Sequence, residues 1–571
     1  MSFDFPDTLC LAEVLRRSCE KYRSNVALIE VDREQEKARL TYGDVLREGD
    51  RLASLMAELG FKPGDRCILL MPNQSKWVVS AAAVIWSGGV LVPIDVKLSP
   101  GEQAGLIDYA EPTVVIADAA LWEPVEAKLS PSLRKVPVLL VDSPKPVEDP
   151  PRVSWASQPA ALKSFPHIRS RRDVAAIVFT SGTGGMPKGC MLSDEAYLSQ
   201  LESLYRIFPD GPGERYLSVI PANHVVDFMC GFLIPMVSGT AVVHQRTLRS
   251  QYIVGTLKKY EITHTAVVPL LLKLLEDGIV EKMDRLPSLR RKVLRILTGV
   301  NSAVTKHRSM FWLSRLLLKP IHDRFGGRLK RIFVGGAFVD EEVADFFYSL
   351  GFSIHVGYGL TEVCQAVSLN DCRPYRSDTV GKPLHGCEVE IRNADAAGVG
   401  EVWVRSPCLM SGYFKNERLT AETIVDGWLK SGDLGRLDAK GHLKLTGRSK
   451  NMIVTKGGKN VYPEDVELAF GHLRESEESC IFSAHYVWPE VDAKDDRLVL
   501  VVRPKNHAQS DAGFEEHIKQ VNRSLDQYKR IGGYLVWEEP FPRTASLKVK
   551  RDSLALAIRG GASPSSSVVA L

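Results

Sequence analysis

The chain has 571 residues, of which 44% are hydrophobic and 25% charged, and its formal net charge is +4. These values are ordinary for a soluble globular protein, and so small a charge for this length does not indicate a nucleic-acid partner. The ten cysteines include no pair with Cys-x-x-Cys spacing, which argues against a zinc knuckle or a dithiol centre. We therefore expect reduced thiols in a cytoplasmic protein.

Helical and strand-like segments alternate from the N-terminus onward. Residues 44–59 form an amphipathic stretch that ends at Gly60, a helix-stop signal. Short apolar runs without polar alternation are typical of parallel strands that are covered on both faces. Such runs occupy residues 67–71, 89–94, 114–116, 138–141, 175–179, 241–243 and 332–334. The sequence therefore predicts an α/β fold with parallel sheets.

The most apolar stretch, residues 77–94, is interrupted by Ser87-Gly88-Gly89. This pattern favours a buried helix followed by a core strand over a membrane span. The pattern along the chain changes near residue 447. We predict a large N-terminal α/β domain over 1–447, a hinge over 448–452, a small α+β domain over 453–559 and a disordered tail over 560–571.

A strongly basic segment lies between Lys282 and Arg331, with fourteen Lys or Arg and only two acids. Apolar residues recur within it at helical spacing, among them Leu289, Val293, Ile296, Leu297 and Val300. One interpretation is a pair of solvated basic helices packed on the large domain. The other is a surface that contacts anions, either phospholipid headgroups of a membrane or the phosphates of a ligand.

A stretch rich in glycine and hydroxyl residues directly follows the apolar run over 175–179. It reads Thr180, Ser181, Gly182, Thr183, Gly184, Gly185, Met186, Pro187, Lys188 and Gly189. Glycines permit close backbone approach to a phosphate, hydroxyls and amides donate hydrogen bonds, and a lysine neutralises charge. It is not a Walker loop, because no Gly-Lys-Ser/Thr occurs. A flexible connector is the alternative interpretation.

This stretch resembles the phosphate-binding signature of the adenylate-forming (AMP-binding) superfamily. Four more segments resemble signatures of that family in the same order: residues 357–362, 427–435, 447–463 and 542–548. The resemblance implies a large domain and a mobile C-terminal domain. It also implies an AMP-forming acid–thiol ligase that uses ATP and Mg²⁺ to make an acyl-adenylate, releases pyrophosphate and passes the acyl group to coenzyme A.

The resemblance also implies roles for the nucleotide-binding residues. Tyr358 would stack on adenine, Thr361 would donate to the α-phosphate, and the carboxylate of Glu362 would hold Mg²⁺. Asp433 would accept the ribose hydroxyls, and Arg448 would donate to ribose or phosphate. The remaining positions of the predicted nucleotide site are Thr180, Ser181, Gly182, Thr183, Gly184, Gly185, Lys188, Gly336, Ala337, Gly357 and Gly359.

Further roles concern catalysis and domain movement. Lys548 stands where the family keeps the lysine that stabilises charge between the attacking carboxylate and the α-phosphate, although Lys550 and Arg551 are close in sequence. Lys450 would be the hinge, and Gly458 would border the pantetheine channel for coenzyme A. His224 resembles a family histidine near the bound carboxylate, and the alternative is an ordinary core histidine.

The substrate is the least determined part of the assignment. The context of Lys548 and the basic segment resemble long-chain acyl-CoA synthetases, which favours a medium- or long-chain fatty acid. An acyl-AMP ligase that loads a carrier protein is one alternative, and a catalytically silent nucleotide- or acyl-binding protein that docks on membranes is another. Three positions depart from the family pattern: Gly184, Asn451 and Leu547.

Overall fold

The computed structural model describes residues 9–143, 151–155, 169–180, 188–306, 309–454, 460–471, 473, 476–489, 497–505, 512–544, 549–561 and 568–571. Contacts between α-carbons divide the chain into two compact units. The first unit consists of Met1–Glu388 and Val404–Leu429, and the second of Val389–Trp403 and Lys430–Leu571. Each unit is described by itself below.

The described strands are, in chain order, β1 (Val26–Asp32), β2 (Gln35–Thr41), β3 (Arg66–Leu70), β4 (Val90–Pro93), β5 (Val114–Asp118), β6 (Val138–Val141), β7 (Arg152–Ser154), β8 (Val174–Thr180), β9 (Lys188–Ser193), β10 (Arg215–Ser218), β11 (Ala241–Gln245), β12 (His264–Val267), β13 (Arg331–Val334), β14 (Ser353–Tyr358), β15 (Ser368–Leu369), β16 (Lys382–Pro383), β17 (Glu388–Arg392), β18 (Gly400–Arg405), β19 (Gly412–Tyr413), β20 (Ile424–Val425), β21 (Trp428–Leu437), β22 (Leu443–Arg448), β23 (Ile453–Val454), β24 (Asn460–Val461), β25 (Ser476–Ser483), β26 (Leu498–Pro504), β27 (Ile531–Val536) and β28 (Val569–Ala570).

The described α-helices are α1 (Leu11–Lys21), α2 (Tyr42–Glu58), α3 (Ser75–Trp86), α4 (Pro100–Ala110), α5 (Ala119–Glu126), α6 (Asp194–Ile207), α7 (Val225–Asp227), α8 (Ile234–Ser238), α9 (Ser250–Lys259), α10 (Pro269–Asp284), α11 (Ser288–Thr305), α12 (Phe311–Leu317), α13 (Lys319–Arg324), α14 (Glu341–Ser349), α15 (Glu417–Thr423), α16 (Pro463–Phe470), α17 (Ala484–Val487), α18 (Ala512–Ser524) and α19 (Arg551–Gly561).

Two large sheets form the first unit. The nine-stranded sheet has the order β16-β15-β14-β13-β12-β10-β11-β1-β2, and its six central strands from β14 to β1 are parallel. The eight-stranded sheet has the order β19-β9-β8-β4-β3-β5-β6-β7, with a parallel centre from β8 to β7. Helices cover these strands on both faces, as the unalternated apolar runs predict. The α/β fold class is therefore confirmed.

The apolar stretch over 77–94 folds as the sequence predicts. Helix α3 is buried along its whole length from Trp77 to Trp86, and the chain turns through Ser87–Gly89 into the buried strand β4. The amphipathic stretch over 44–59 is helix α2, whose N-terminus is closed by a reciprocal pair of hydrogen bonds between Thr41 and Asp44. In the part of the chain that the structure describes, no helix has the length and apolar character needed to cross a bilayer.

The second unit contains a small antiparallel sheet in which β21 pairs with β18 and β22. It also contains the four-stranded sheet β25-β26-β27-β28, which mixes antiparallel and parallel pairs. Helices α16 and α18 pack on this second sheet through Val466, Phe470 and Ile518. This arrangement confirms a smaller domain of mixed helices and strands.

Two boundaries differ in detail from the sequence-based expectation. The second compact unit includes residues 430–447, because β22 pairs with β21 before the predicted hinge is reached; the domain boundary at 447 stays a prediction. The predicted disordered tail begins inside helix α19, which extends to Gly561. Strand β28 then pairs with β27, with Val569 opposite Tyr534. These backbone hydrogen bonds order both ends of the segment that the sequence predicts to be disordered.

Candidate active site

Four parallel strands of the nine-stranded sheet end at one edge, and the predicted site residues of this sheet follow them. The order β14-β13-β12-β10 places the carboxyl ends of these strands side by side. His224 lies in the loop after β10, Gly336 and Ala337 follow β13, and the segment 359–362 follows β14. Ligands of open α/β sheets bind outside the carboxyl ends of the strands. The topology therefore brings these three segments to one binding edge.

The loops at this edge require glycine for close backbone approach. A Cβ on Gly359 would lie 1.6 Å from the carbonyl oxygen of Gln365, a distance that no side chain tolerates. A Cβ on Gly335 would lie 2.9 Å from the carbonyl oxygen of Gly357, and Gly336 has a φ of +85°. The chain segments after β13 and β14 are thus packed backbone to backbone.

Tyr358 ends strand β14 and lies opposite Ser368 of β15. Only 7% of its surface is exposed. An adenine ring would therefore reach only a small part of the tyrosine as the structure stands, and stacking on Tyr358 stays a prediction. Thr361 begins a short 3₁₀ helix, Thr361–Val363, and the half-buried Glu362 is its second residue.

A tyrosine that the sequence reasoning missed connects Glu362 to Lys188. The Tyr413 hydroxyl donates to Oε1 of Glu362 at 2.8 Å, and the Lys188 ammonium lies 5.4 Å from the centre of the Tyr413 ring. The pairing of β19 with β9 places Tyr413 beside Cys190, two residues from Lys188. Burial, and then the carboxylate of Glu362, raise the pKa of Tyr413, so the phenol stays a donor. No motif marks this tyrosine, because its strand has two residues and its partner is 51 positions away.

The predicted phosphate loop begins and ends in the described chain. Thr180 and Lys188 are opposite one another in the antiparallel pair β8–β9, and the Thr180 hydroxyl lies 3.5 Å from the Lys188 carbonyl oxygen. The loop therefore starts from a hairpin whose two ends are fixed by strand pairing. The predicted residues Ser181, Gly182, Thr183, Gly184 and Gly185 lie outside the described residues.

The loop that carries His224 is held by a buried polar network. Asn73 accepts a hydrogen bond from the Ala222 amide at 2.8 Å and donates to the Ile220 carbonyl at 2.6 Å. His224 itself is half-buried and directly precedes α7. At the end of α7, the buried carboxylate of Asp227 lies 3.2 Å from the same Asn73 amide. Sequence reasoning missed both Asn73 and Asp227, since neither belongs to a recognised motif.

The second unit brings two predicted nucleotide residues together. Asp433 on β21 is directly opposite Arg448 on β22, and the guanidinium Nε lies 3.0 Å from the carboxylate Oδ1. Asp433 is 5% exposed, and its amide donates a hydrogen bond to the Ser431 hydroxyl oxygen at 3.0 Å. A buried acceptor beside a partly exposed fork of donors suits a ligand that carries hydroxyls and a phosphate.

The predicted hinge lies directly after this pair. Lys450 is the middle residue of a single 3₁₀ turn, Ser449–Asn451, and its partial desolvation, together with the nearby Arg448, lowers its pKa. Asn451 replaces the acid expected after the hinge lysine, and its amide donates to Glu464 at 2.6 Å. The asparagine at this departure from the family pattern therefore has a hydrogen-bond partner of its own.

The structure describes both ends of the segment that carries Lys548. Arg543 and Val549 form an antiparallel bridge, and the Lys550 amide donates to the Pro542 carbonyl at 2.7 Å. Arg551 is engaged elsewhere: its guanidinium pairs with Glu467 and donates to the Ile481 carbonyl at 2.7 Å. Lys548 and Gly458 lie outside the described residues.

One further group of ligand-type side chains lies at the opposite, amino edge of the nine-stranded sheet. Asp210, Glu214 and His264 approach within 4.8 Å of one another. Arg331 pairs with Asp210, and the Lys330 ammonium lies 2.6 Å from Glu214. Burial holds the pKa of His264 well below its ordinary value. Protein cations therefore already neutralise these carboxylates.

The comparisons with known proteins agree with this fold. The profile described as AMP-binding enzyme matches residues 15–414. The chain therefore belongs to the AMP-binding enzyme family, as the five sequence signatures predict. Among solved structures, o-succinylbenzoate CoA synthetase MenE from Bacillus subtilis, in complex with the acyl-adenylate OSB-AMP, is 20% identical. It has a TM-score of 0.73 over 95% of this chain and 97% of that chain. Anthranilate CoA ligase AuaEII in complex with anthranoyl-AMP is 19% identical, with a TM-score of 0.76 over 97% and 98%.

Curated relatives are also similar over most of the chain. Long-chain-fatty-acid–CoA ligase FadD15 of Mycobacterium bovis is 28% identical over 437 residues, which cover 73% of this chain and 71% of that protein. Long-chain-fatty-acid–acyl-carrier-protein ligase AEE15, chloroplastic, of Arabidopsis thaliana is 25% identical over 95% of this chain and 84% of that protein. The predicted resemblance to long-chain fatty acyl-CoA synthetases is thus confirmed.

Proposed function

We propose that this protein is an acyl-CoA synthetase that activates a medium- or long-chain fatty acid with ATP. The observation that carries the proposal is the cluster of Lys188, Tyr413 and Glu362, which joins the end of the predicted phosphate loop to the Thr361–Glu362 turn. A cation and a carboxylate within one cluster are the groups that a magnesium nucleotide requires. Membership of the AMP-binding family supports the same reaction class.

The first step would join the acid to the nucleotide. A carboxylate oxygen attacks the α-phosphorus of ATP, the bond from that phosphorus to the bridging oxygen breaks, and pyrophosphate leaves with the electron pair. Lys188 neutralises charge on the departing phosphates, and Lys548 stabilises the charge that builds between the acid and the α-phosphate. Thr361 donates to an α-phosphate oxygen.

The carboxylate of Glu362 fits a hard cation. The Tyr413 hydroxyl engages Oε1 and so orients the carboxylate, whose second oxygen is the kind of ligand that Mg²⁺ prefers. When bound there, Mg²⁺ would neutralise phosphate charge during transfer. Tyr413 thus acts as a positioning residue for Glu362.

The second step would transfer the acyl group to coenzyme A. The thiol sulfur attacks the acyl carbon of the mixed anhydride, AMP leaves with the electron pair, and the thiol proton passes to solvent. We propose that Lys450 is the hinge for a movement between the two steps and that Gly458 borders the coenzyme A channel. In that case Lys450→Pro, which removes backbone freedom at the hinge, should keep adenylation and lower thioester formation at least tenfold.

The decisive assay is acid-dependent exchange of labelled pyrophosphate into ATP. Lys548→Ala should lower the exchange by about 10²–10³-fold, the usual effect of removing a group that stabilises transition-state charge. Lys550→Ala is the matched control, because Lys550 is an exposed lysine two positions away and should retain exchange. Full exchange in Lys548→Ala would contradict the assigned role. An absence of any exchange in the wild type would favour the silent nucleotide- or acyl-binding alternative.

Exchange measured over acids of increasing chain length tests the substrate. Two relatives at 28% and 25% identity act on long-chain fatty acids according to their names, which supports a fatty acid here. Short aromatic acids that outperform medium and long saturated acids would refute the assignment. Side-by-side transfer to coenzyme A and to a phosphopantetheinylated acyl carrier protein tests the acceptor. Faster transfer to the carrier would favour the carrier-loading alternative.

A further inference from the structure

Helix α11 exposes an apolar stripe beside the face that packs on the core. Five side chains form it, each between 45% and 73% exposed: Leu289, Val293, Ile296, Val300 and Val304. Their spacing of three and four residues places them along one side of the helix. Isolated exposed aliphatic residues are normal on a protein surface, but a continuous stripe over the whole length of a helix requires a different explanation.

The adjoining face of α11, about 90° round the helix axis from the stripe, already has its packing partners. Leu294 and Leu297 pack against the core of the nine-stranded sheet, and the buried Asn301 donates to the Ser349 carbonyl at 2.9 Å. These contacts fix the rotation of the helix, so the stripe cannot turn inward. Helix α12, which packs on α11, exposes Trp312 and Leu316, each by 69%. We call the exposed residues of the two helices the α11–α12 surface.

Cations line one side of this stripe. At 100° per residue, Lys292, Arg295 and the C-terminal cap residue Lys306 fall on the Ile296 side of the stripe, on the flank farther from the core, and all three are exposed. Within the described parts of the chain, no carboxylate forms an ion pair with any of these three. Other basic residues of the same segment are neutralised, since Arg285 pairs with Glu281, Arg291 with Asp284 and Lys319 with Asp323.

We propose that the α11–α12 surface docks on the anionic face of a lipid bilayer. An apolar stripe flanked by cations, on a helix whose other face is packed on the protein, is the arrangement of a helix that lies in the membrane interface. The exposed Trp312 suits the headgroup layer, where tryptophan is enriched. The long stems of Lys292 and Lys306 allow their ammonium groups to stay among the phosphates while the stripe enters the acyl boundary.

Charge argues against the other occupants of this surface. A second copy of the chain, docked stripe to stripe, would bring the same unpaired cations face to face. A protein partner would remove these cations from water, and lysine is depleted in protein–protein interfaces for that reason. Anionic headgroups neutralise the cations without dehydrating them. The argument uses only the charge and exposure of α11 and α12, so it does not depend on the proposed enzymatic reaction.

Partition onto lipid vesicles in a sedimentation assay tests the proposal. The probes are vesicles of phosphatidylcholine alone and of phosphatidylcholine mixed with phosphatidylglycerol. We expect the wild type to bind the mixed vesicles, to bind neutral vesicles weakly, and to be released by added salt. Each basic residue near an anionic surface contributes about fivefold to the partition coefficient. The triple variant Lys292→Gln, Arg295→Gln, Lys306→Gln should therefore bind about a hundredfold more weakly.

A matched variant separates the α11–α12 surface from total charge. Lys62→Gln, Arg172→Gln, Lys440→Gln removes the same three charges from exposed positions elsewhere and should bind nearly as the wild type does. Thermal unfolding should be the same for both triple variants, since all six positions are exposed. Should the α11 triple variant unfold, the single variant Lys292→Gln still predicts about a fivefold loss.

The apolar part of the surface has its own test. Ile296→Ser with Val300→Ser keeps every charge and should weaken binding to the mixed vesicles at least tenfold. Leu248→Ser, at an aliphatic side chain that is 49% exposed and belongs to neither helix, should leave binding unchanged. The vesicle-induced shift of tryptophan emission should disappear in Trp312→Phe, because Trp312 is the side chain placed at the interface.

Four results would overturn the proposal. They are equal binding of the wild type to neutral and anionic vesicles, no binding to either, wild-type binding by the α11 triple variant, and a solution dimer that Val293→Asp dissociates. Pyrophosphate exchange with a water-soluble acid should be unaffected in all these variants. A loss of exchange without a loss of vesicle binding would count against the proposed function and leave this proposal standing.

Discussion

Asp227 predicts an unusual dependence of stability on pH. Its carboxyl is fully buried and accepts hydrogen bonds from the Tyr216 and Ser218 hydroxyls, each at 2.7 Å, and from Asn73 at 3.2 Å. Burial raises its pKa from the ordinary 3.8 to about 7, although these three donors oppose the rise. No cation is among its described partners, so the neutral acid is the favoured form in the folded protein at moderately acidic pH.

The sign of the effect follows from proton binding. Between the unfolded pKa and the folded pKa, the folded protein holds a proton that the unfolded chain has lost. The contribution of Asp227 to the free energy of unfolding is therefore fully present below about pH 4. It is lost as the pH rises toward about pH 7. The loss is about 4 kcal/mol at 1.36 kcal/mol per pKa unit. Asp227→Asn cannot ionise and should lack this loss.

Melting temperature is the appropriate measurement. Asp227 belongs to a unit of roughly 400 residues, whose unfolding entropy is about 0.8 kcal/mol per degree, so 4 kcal/mol corresponds to about 5 °C. When the pH is raised from about 4 to about 8, the melting temperature of the wild type should fall by about 5 °C more than that of Asp227→Asn. Asp194, whose pKa burial raises to about 6, contributes equally to both proteins and cancels. Equal losses in the two proteins would refute a buried neutral Asp227.

Three substitutions test the site itself. Tyr413→Phe removes the donor to Glu362 and should raise the Mg²⁺ concentration needed for half-maximal exchange about tenfold, as second-shell changes do; an unchanged Mg²⁺ titration would remove Tyr413 from the site. Gly359→Ala places a Cβ against a backbone carbonyl and should lower the melting temperature and abolish nucleotide binding, whereas Gly105→Ala, with open space around it, should do neither. Asp433→Asn should weaken ATP binding about tenfold by calorimetry, the usual worth of a charge-assisted hydrogen bond, and equal affinity would contradict a nucleotide role for this carboxylate.

The sequence predicts much of the sheet structure for a physical reason. A parallel strand covered by helices on both faces needs apolar residues at every position, and this requirement leaves an unbroken run in the sequence. The runs over 67–71 and 332–334 are accordingly β3 and β13. Contacts between residues that are distant in sequence leave no such pattern. Tyr413 reaches Glu362 only because a two-residue strand pairs with β9, and Asn73 reaches the His224 loop from a different sheet.

Helix α11 shows a second limit of sequence patterns. The periodicity of Leu289, Val293, Ile296, Leu297 and Val300 predicts a helix but treats these residues as one apolar face. In the structure, Leu297 packs on the core and the other four are exposed. The five positions form one apolar stripe about 100° wide, and the pattern cannot tell how much of that stripe packs on the core. Only the tertiary contacts show that the edge with Leu297 is covered and that the rest is open.

The choice of Lys548 as the catalytic lysine stays a prediction. Spacing from the C-terminal motif favours Lys548 but leaves Lys550 and Arg551 as neighbours of the same charge. Arg551 cannot serve, because Glu467 and the Ile481 carbonyl hold its guanidinium inside the second unit, and the attraction of Glu467 raises its pKa despite burial. Arg543 and Val549 form an antiparallel bridge, so Lys550 lies just beyond it, and Lys548 lies outside the described residues. The comparison of Lys548→Ala with Lys550→Ala therefore tests the remaining choice: if the spacing from the C-terminal motif identifies the catalytic lysine, only Lys548→Ala should lower pyrophosphate exchange strongly.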